Sequence, residues 1–320
     1  MTGGGGGAAL TRRALLTAMG AGLLAACTGP FADVRLRLAT GSPQGVYYRL
    51  GSVLAAAWHD ELGLAAAPVV ISTAGSVQNL ALLLDGRADV VFSQADAAVE
   101  ELGALPAADA PRALARIYDD AVQVVVPDVS AITTVSGLRG ARVSVGAPDS
   151  GVSVVAARLL VAAGLAEGDL AAERLGLDDS AQALLDGRID AFFWSGGLPT
   201  PAVEALARRL PIRLLDLSAD GTLDAVREQH PVYAPGTVPA RRYAGLRDPV
   251  ATMLVRNVLL VPASLPDDLA AALVEVLFTE RVRFAQAGPA ALTIDPRAAI
   301  GTEPVLLHPG AERFFRDARD

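Results

Sequence analysis

Polar side chains and glycines gather at the ends of short apolar runs, in a pattern suited to holding a small anion. Thr40, Gly41, Ser42, Gln44 and Gly45 follow LRLA, while Thr73, Ser76 and Asn79 follow PVVIS. Gln94 and Asp96 follow DVVFS, and Ser150, Gly151 and Ser153 follow RVSVGAPD. A glycine-rich turn leading into a helix leaves backbone N–H groups unpaired at an end carrying about half a positive charge. Small residues there let an anion reach the backbone. The plainer role of the same residues is helix capping, Ser76 above all. Tyr47 and Tyr48 lie beside the first turn; helix neighbours point about 100° apart, so one of the pair faces the ligand side. Arg49 is either a carboxylate clamp or a solvated surface arginine.

Covalent and cofactor chemistry finds less support. All 27 basic residues are arginine, which removes the Walker A lysine, the Schiff-base lysine and the lysine general base. His59, His230 and His308 are not at metal-ligand spacing, and HExxH, GxSxG and GxGxxG are absent. Asp119–Asp120 and Asp178–Asp179 are adjacent in sequence, so they read as solvated turns or helix starts rather than an acid/base pair. No catalysis, cofactor or metal is expected; a secreted α/β hydrolase remains as a distant alternative.

The elements that position these residues occur twice. DGRADVVF (85–92) is echoed by DGRIDAFF (186–193), and GSPQGVYYRLGSVLAAA (41–57) by GAPDSGVSVVAARLLVAA (146–163), in the same order. The offset exceeds the roughly 20–50 residues of solenoid repeats, so it predicts two related lobes. In the first, VRLRLAT, PVVIST and ADVVFSQ read as strands, separated by helices over 45–62 and 76–86. In the second, RVSVGAP, a strand near 173–175 and IDAFFWS alternate with helices over 152–164 and 179–187. This βαβαβ order favours parallel sheet covered by helices. AVQVVVP (121–127) and MLVRNVLLVP (253–262) read as two crossings between lobes, and a tail helix capped by Ser264 returns to the first lobe. The resulting expectation is lobe 1 over 33–122 plus 263–320 and lobe 2 over 123–262, hinged about a ligand cleft.

With 320 residues, 52% of them hydrophobic, and mean hydropathy +0.39, the chain suits two ordinary domains. It has no apolar run of the ~20 residues a membrane span needs. A net charge of −8 argues against nucleic acid as a partner. Residues 1–26 read as a secretory leader: Arg12 and Arg13, the apolar stretch 14–26, then a small-residue cleavage site. Leu24-Ala25-Ala26-Cys27 resembles a lipobox, which makes Cys27 a lipidated first residue and 27–32 an anchor linker. Cys27 is also the only cysteine, so no internal disulfide forms. TRRALL leaves the export route open between the general and twin-arginine pathways.

LATGSPQGVYYRLG, STAGSVQNLALLLDGRADVVFSQAD, LRGARVSVGAPDSGV, DGRIDAFFWSGGLPTPA and LLHPGAERFF together resemble the TAXI family of extracytoplasmic solute-binding proteins, which serve one class of TRAP transporter. The resemblance implies a two-lobed periplasmic-binding-protein fold, type II-like. It implies a monomer that closes on a small organic anion, a glutamate-like amino acid or a dicarboxylate, and delivers it to a membrane permease. Its ligand shell would draw on Thr40, Gly41, Ser42, Gly45, Tyr47, Ser76, Asn79, Gln94, Asp96, Ser150, Gly151 and Ser153, and on Gly197, Pro199 and Thr200 of the GLPTP loop. Arg49 stands where the family commonly has proline, and Trp194-Ser195 replaces smaller residues. An ABC transporter or a sensor kinase is the alternative partner.

Overall fold

A computed structural model describes residues 29–318; the leader and Cys27 lie outside them. Three parallel strands form one end of a single sheet, in the order β2 (Val69–Ile71), β1 (Arg37–Ala39), β3 (Val90–Gln94). The other end repeats the arrangement with β6 (Ala171–Glu173), β5 (Arg142–Ser144) and β7 (Ala191–Gly196). Two long strands, β4 (Arg112–Pro127) and β10 (Val250–Val261), run antiparallel between the ends, giving the path β2-β1-β3-β10-β4-β7-β5-β6. β8 (Ile212–Leu214) adds to β4 and β9 (Ala234–Val238) to β10.

Each end is a lobe with its own apolar core. Leu50, Leu54 and Trp58 of α1 (Val46–Leu62) are fully buried, as their i, i+4 spacing predicts. The Trp58 indole donates to the Leu273 carbonyl at 3.0 Å, fastening α8 (Asp267–Thr279) onto α1. The tail therefore packs in the first lobe, with Leu269, Leu273 and Leu277 in the same core as Leu38 and Phe92. β4 and β10 change lobe partway along. Leu114 and Tyr118 belong to the first core and Val122 and Val124 to the second; on β10, Val255 lies in the second core and Leu259 in the first. The second crossing thus falls inside β10, between Val255 and Leu259.

The duplicated DGR motif has a physical role. Gly86 and Gly187 take φ of 64° and 68°, the left-handed conformation that closes α2 (Ser76–Leu84) and α5 (Leu177–Leu185). The aspartate two residues after each arginine then clamps the first residue of a neighbouring strand. Asp89 accepts from the Arg37 backbone at 2.8 Å and its guanidinium at 2.9 Å; Asp190 accepts from Arg142 at 2.9 and 3.1 Å. Both arginines also reach the glycine carbonyl of their own motif at 2.8 Å.

Three boundaries differ from the sequence reading. β4 begins at Arg112, because residues 112–120 are packed on both faces and so lack the alternation that marks a half-buried strand. β6 ends at Glu173 instead of beginning there. α8 begins at Asp267 after Pro266, with no cap from Ser264, because the residue before a proline is held out of helical geometry.

Candidate functional site

Four helix N-termini, two from each lobe, surround one cavity in the cleft. They belong to α1, α2, α4 (Gly151–Ala162) and α5, and residues at the start of each line the cavity: Gly45 and Val46, Gly75 and Ser76, Ser150 and Gly151, Gly176 and Leu177. The residues preceding α1, α2 and α5 are glycines that supply no capping side chain; Ser150 alone caps, accepting from the Ser153 backbone at 3.2 Å. Uncapped N–H groups with an aligned dipole are what a bound anion satisfies. The cavity encloses about 140 Å³, comparable to the roughly 150 Å³ that admits benzene in an engineered core. Tyr118, Val152, Leu177, Phe193 and Trp194 give it apolar walls.

The lobes touch across this cleft. The Gln78 backbone of α2 donates to the Asp149 carbonyl at 2.9 Å. Gly151 sits so close to the first lobe that a Cβ there would lie 2.1 Å from Gln94 Oε1 and 2.9 Å from Ser76 Oγ.

Of the sequence-selected residues, Gly41, Ser42, Gly45, Tyr47, Thr73, Ser76, Gln94, Ser150 and Gly151 line the cavity. Tyr47, not Tyr48, is the tyrosine turned to the cleft; it stacks on Phe92 at 4.9 Å and its hydroxyl donates to Asn257 Oδ1. The others stand outside it. Thr40 donates to the Ile71 carbonyl at 2.7 Å beneath the first turn. Asn79 is fully buried and donates to the carbonyls of Thr40 at 2.6 Å and Phe92 at 2.8 Å, tying two strand ends together. Ser153 turns back onto the Ser150 carbonyl at 2.7 Å. Thr200 accepts from the Trp194 indole at 3.0 Å, and Gly197 abuts Val46 and Tyr118. Pro199 lines a separate groove with Gln44 and the exposed Arg49, so Arg49 is no clamp on this cavity.

Asp96 is the clearest relocation. It lies at the start of α3 (Ala95–Leu102), fully buried between the lobes. Its Oδ2 accepts from the Tyr233 hydroxyl at 2.7 Å and from Arg158 Nη1 at 3.3 Å. Arg158, on α4 of the second lobe, also binds Glu100 at 2.8 Å. Burial raises the Asp96 carboxyl above its ordinary pKa, against the pull of Tyr233 and Arg158. The result is a polar bridge between lobes, away from the cavity.

Asp120 corrects the expectation of a solvated Asp119–Asp120 turn. Both lie on β4, where successive side chains face opposite ways. Asp119 pairs with Arg116 at 2.6 Å, while Asp120 points inward, 3% exposed, and lines the cavity. Its Oδ2 accepts from Gln94 Nε2 at 2.8 Å and Ser195 Oγ at 3.3 Å. Burial pushes its pKa up to about 7, partly offset by the hydrogen bonds from Gln94 and Ser195 and by the nearby Asn257 amide, whose Nδ2 makes no hydrogen bond. Two adjacent carboxylates carry no mark of which one turns inward, so sequence reasoning passed over it. Gly176 had a usable signal: as the turn before α5, it is the second-lobe counterpart of Gly75.

That pKa has a measurable consequence. A native pKa above the unfolded value means the folded chain binds more protons between about pH 4 and 7, so stability falls as pH rises through that window. The ligand-free protein is expected to lose melting temperature from pH 5.5 to 8 more steeply than an Asp120→Asn variant. Equal slopes in a thermal melt series would overturn the assignment.

The model of the NMT1-like family matches residues 38–318. Among solved structures, the chain is similar to a protein of Bordetella bronchiseptica RB50, at 22% identity over 87% of this chain and 84% of that one, TM-score 0.51. It is similar to the ligand-binding component of an ABC-type import system from Staphylococcus aureus, solved with zinc bound, at 9% identity over 80% and 78%, TM-score 0.51. The periplasmic aliphatic sulphonate binding protein SsuA of Escherichia coli matches at 17% identity over 88% and 82%, TM-score 0.48. The first two likenesses carry the fold: two related α/β lobes joined by two crossing strands.

Proposed function

The chain belongs to the NMT1-like family, and from that premise we propose that it is an extracytoplasmic solute-binding protein serving a membrane importer. Its lobes capture a small organic anion and deliver it to the membrane partner. The observation that carries this reading is the meeting of four helix N-termini, three without a capping side chain, around one small cavity between the lobes. Among the described residues no group of histidine, cysteine, aspartate or glutamate could hold a metal, so the zinc of the staphylococcal protein does not carry over. None of their helices is long and apolar enough to cross a membrane; lipid attachment at Cys27 would supply the anchoring.

Two membrane partners are supported by different observations. The ABC-type import component of S. aureus among the structural likenesses favours an ATP-driven importer, and this is the reading adopted. The sequence motifs that resemble the TAXI family favour an ion-driven TRAP permease. Uptake of the ligand by intact cells separates them: vanadate, which blocks transport ATPases, abolishes it in the first case and spares it in the second.

The capture step is tested on the purified chain. Ligand at one hundred times its Kd adds about 2.7 kcal/mol to the folded state, so a small carboxylate in a broad organic-anion panel is expected to raise the melting temperature by several degrees. A panel in which no compound shifts the melt would overturn the reading.

A further inference from the structure

Building on the solute-capture reading, we infer that Asp120 and Gln94 form a subsite for an ammonium group, so that the ligand is a small zwitterion and not a plain dicarboxylate. Three observations converge. First, among the described residues the cavity lining holds no arginine or histidine, and Asp120 is its one charged side chain. A ligand with two negative ends would therefore put one of them against a carboxylate with no cation nearby.

Second, two of the three unpartnered buried atoms on cavity-lining side chains are pure acceptors, the third being the Ser42 hydroxyl. Asp120 Oδ1 and Gln94 Oε1 lack hydrogen-bond partners, on side chains that are each 3% exposed. The Gln94 amide is oriented by its own donations, Nε2 to Asp120 Oδ2 at 2.8 Å and to Ser195 Oγ at 2.6 Å, which turns Oε1 toward Gly151 on the far side of the cleft. Leaving a buried acceptor unmade is costly, and an ammonium offers three donors at once. Third, the other walls bring backbone N–H groups at helix N-termini together with neutral serine and threonine hydroxyls, a complementary site for the ligand's carboxylate.

The groups facing Asp120 leave it as the proton-responsive element. Tyr47 of α1 and Tyr118 of β4 are held well above the ordinary tyrosine pKa, first by burial and then by Asp120 itself. Asp119, paired with Arg116, adds a repulsion that raises Asp120, while Gln94, Ser195 and Asn257 are uncharged. An ammonium requires the ionised carboxylate, so its binding below neutrality releases a proton and strengthens as pH rises. A ligand without an amine, placing a carboxylate there, takes a proton up and weakens as pH rises.

The experiment is calorimetry on the purified chain with matched pairs: L-alanine and propionate, L-leucine and 4-methylpentanoate, L-glutamate and glutarate. In at least one pair the amino acid is expected to bind at least about 30-fold more tightly than its amine-free partner, the scale of removing one member of a buried charge pair. That binding should release protons at pH 6.5 and fall at least about 30-fold in Asp120→Asn. Comparable affinity within every pair that binds, unchanged affinity in Asp120→Asn, or proton uptake would each overturn the subsite while leaving solute capture standing. Failure of all six acids to bind, while another anion of the broad panel does, would overturn the subsite alone; failure of the whole panel would overturn both.

Discussion

A Gly151→Val variant is expected to fold normally and capture no ligand. Gly151 opens α4 in the second lobe, and its backbone lies against Gln94 and Ser76 of the first. A Cβ at this position would stand 2.1 Å from Gln94 Oε1, 2.8 Å from its Cδ and 2.9 Å from Ser76 Oγ. Neither neighbour can retreat cheaply. Gln94 is held by Asp120 and Ser195, and Ser76 Oγ accepts from the Gln94 backbone at 3.0 Å. The inexpensive relief is for the lobes to part, since β4 and β10 are the two strands that cross between them and a hinge absorbs such motion. Alanine should cost about 1–3 kcal/mol by overpacking, lowering affinity roughly 5- to 150-fold; valine should abolish measurable binding. Melting temperature without ligand should change little, and small-angle scattering should show a larger radius of gyration. Wild-type affinity in both variants would show that ligand binding does not require the lobes to meet at Gly151.

The second large effect is expected from Arg158→Met. Arg158 is the second-lobe half of the bridge to Asp96 and Glu100, with its side chain 16% exposed and that of Asp96 wholly buried. Asp96 Oδ1 already lacks a partner. Methionine keeps much of the volume but leaves Asp96 with Tyr233 alone, an uncompensated buried charge. Breaking a buried pair this way costs about 3–5 kcal/mol; because the two halves lie on different lobes, part of that cost falls on closure rather than on either core. A double variant, Arg158→Met with Asp96→Leu, should recover much of the loss, since replacing both partners by apolar groups removes the stranded charge. Denaturant melts and ligand titrations on the single and double variants check this. A single variant as stable and as tight-binding as the parent would show that the bridge is solvent-relaxed and carries no closure energy.

Asp96 and Asp120 together show where sequence reasoning reached and where it stopped. Both are acids next to apolar runs, and the runs themselves are legible: ADVVFSQ gives β3 and AVQVVVP the second half of β4, both almost wholly buried, as in strands covered on both faces. Which acid faces the ligand depends on half a turn of α3 and one step along β4, and no local pattern fixes either. The glycine turns were easier, because a turn that feeds a helix start has a composition of its own. Gly41, Gly45 and Gly151 line the cavity between the lobes. Their neighbours Thr40 and Ser153 were chosen on the same grounds, yet their hydroxyls go to backbone carbonyls instead, as short polar side chains at turns often do.

The sequence by itself determined the duplicated α/β plan, because the period-3.6 and strand-like runs and the two DGR helix closures are local and repeat in order. It also determined that the chain has no lysine for a Schiff base and a single cysteine, too few for an internal disulfide. Only the tertiary structure decided that Asp120 stands in the cleft with Gln94, and that Asp96 instead bridges the lobes through Arg158. The reason is one of range. Helix and strand preferences are set by neighbours a few residues away, whereas the cavity is built from positions 41, 75, 120, 151 and 176, whose meeting depends on how two folded bodies pack.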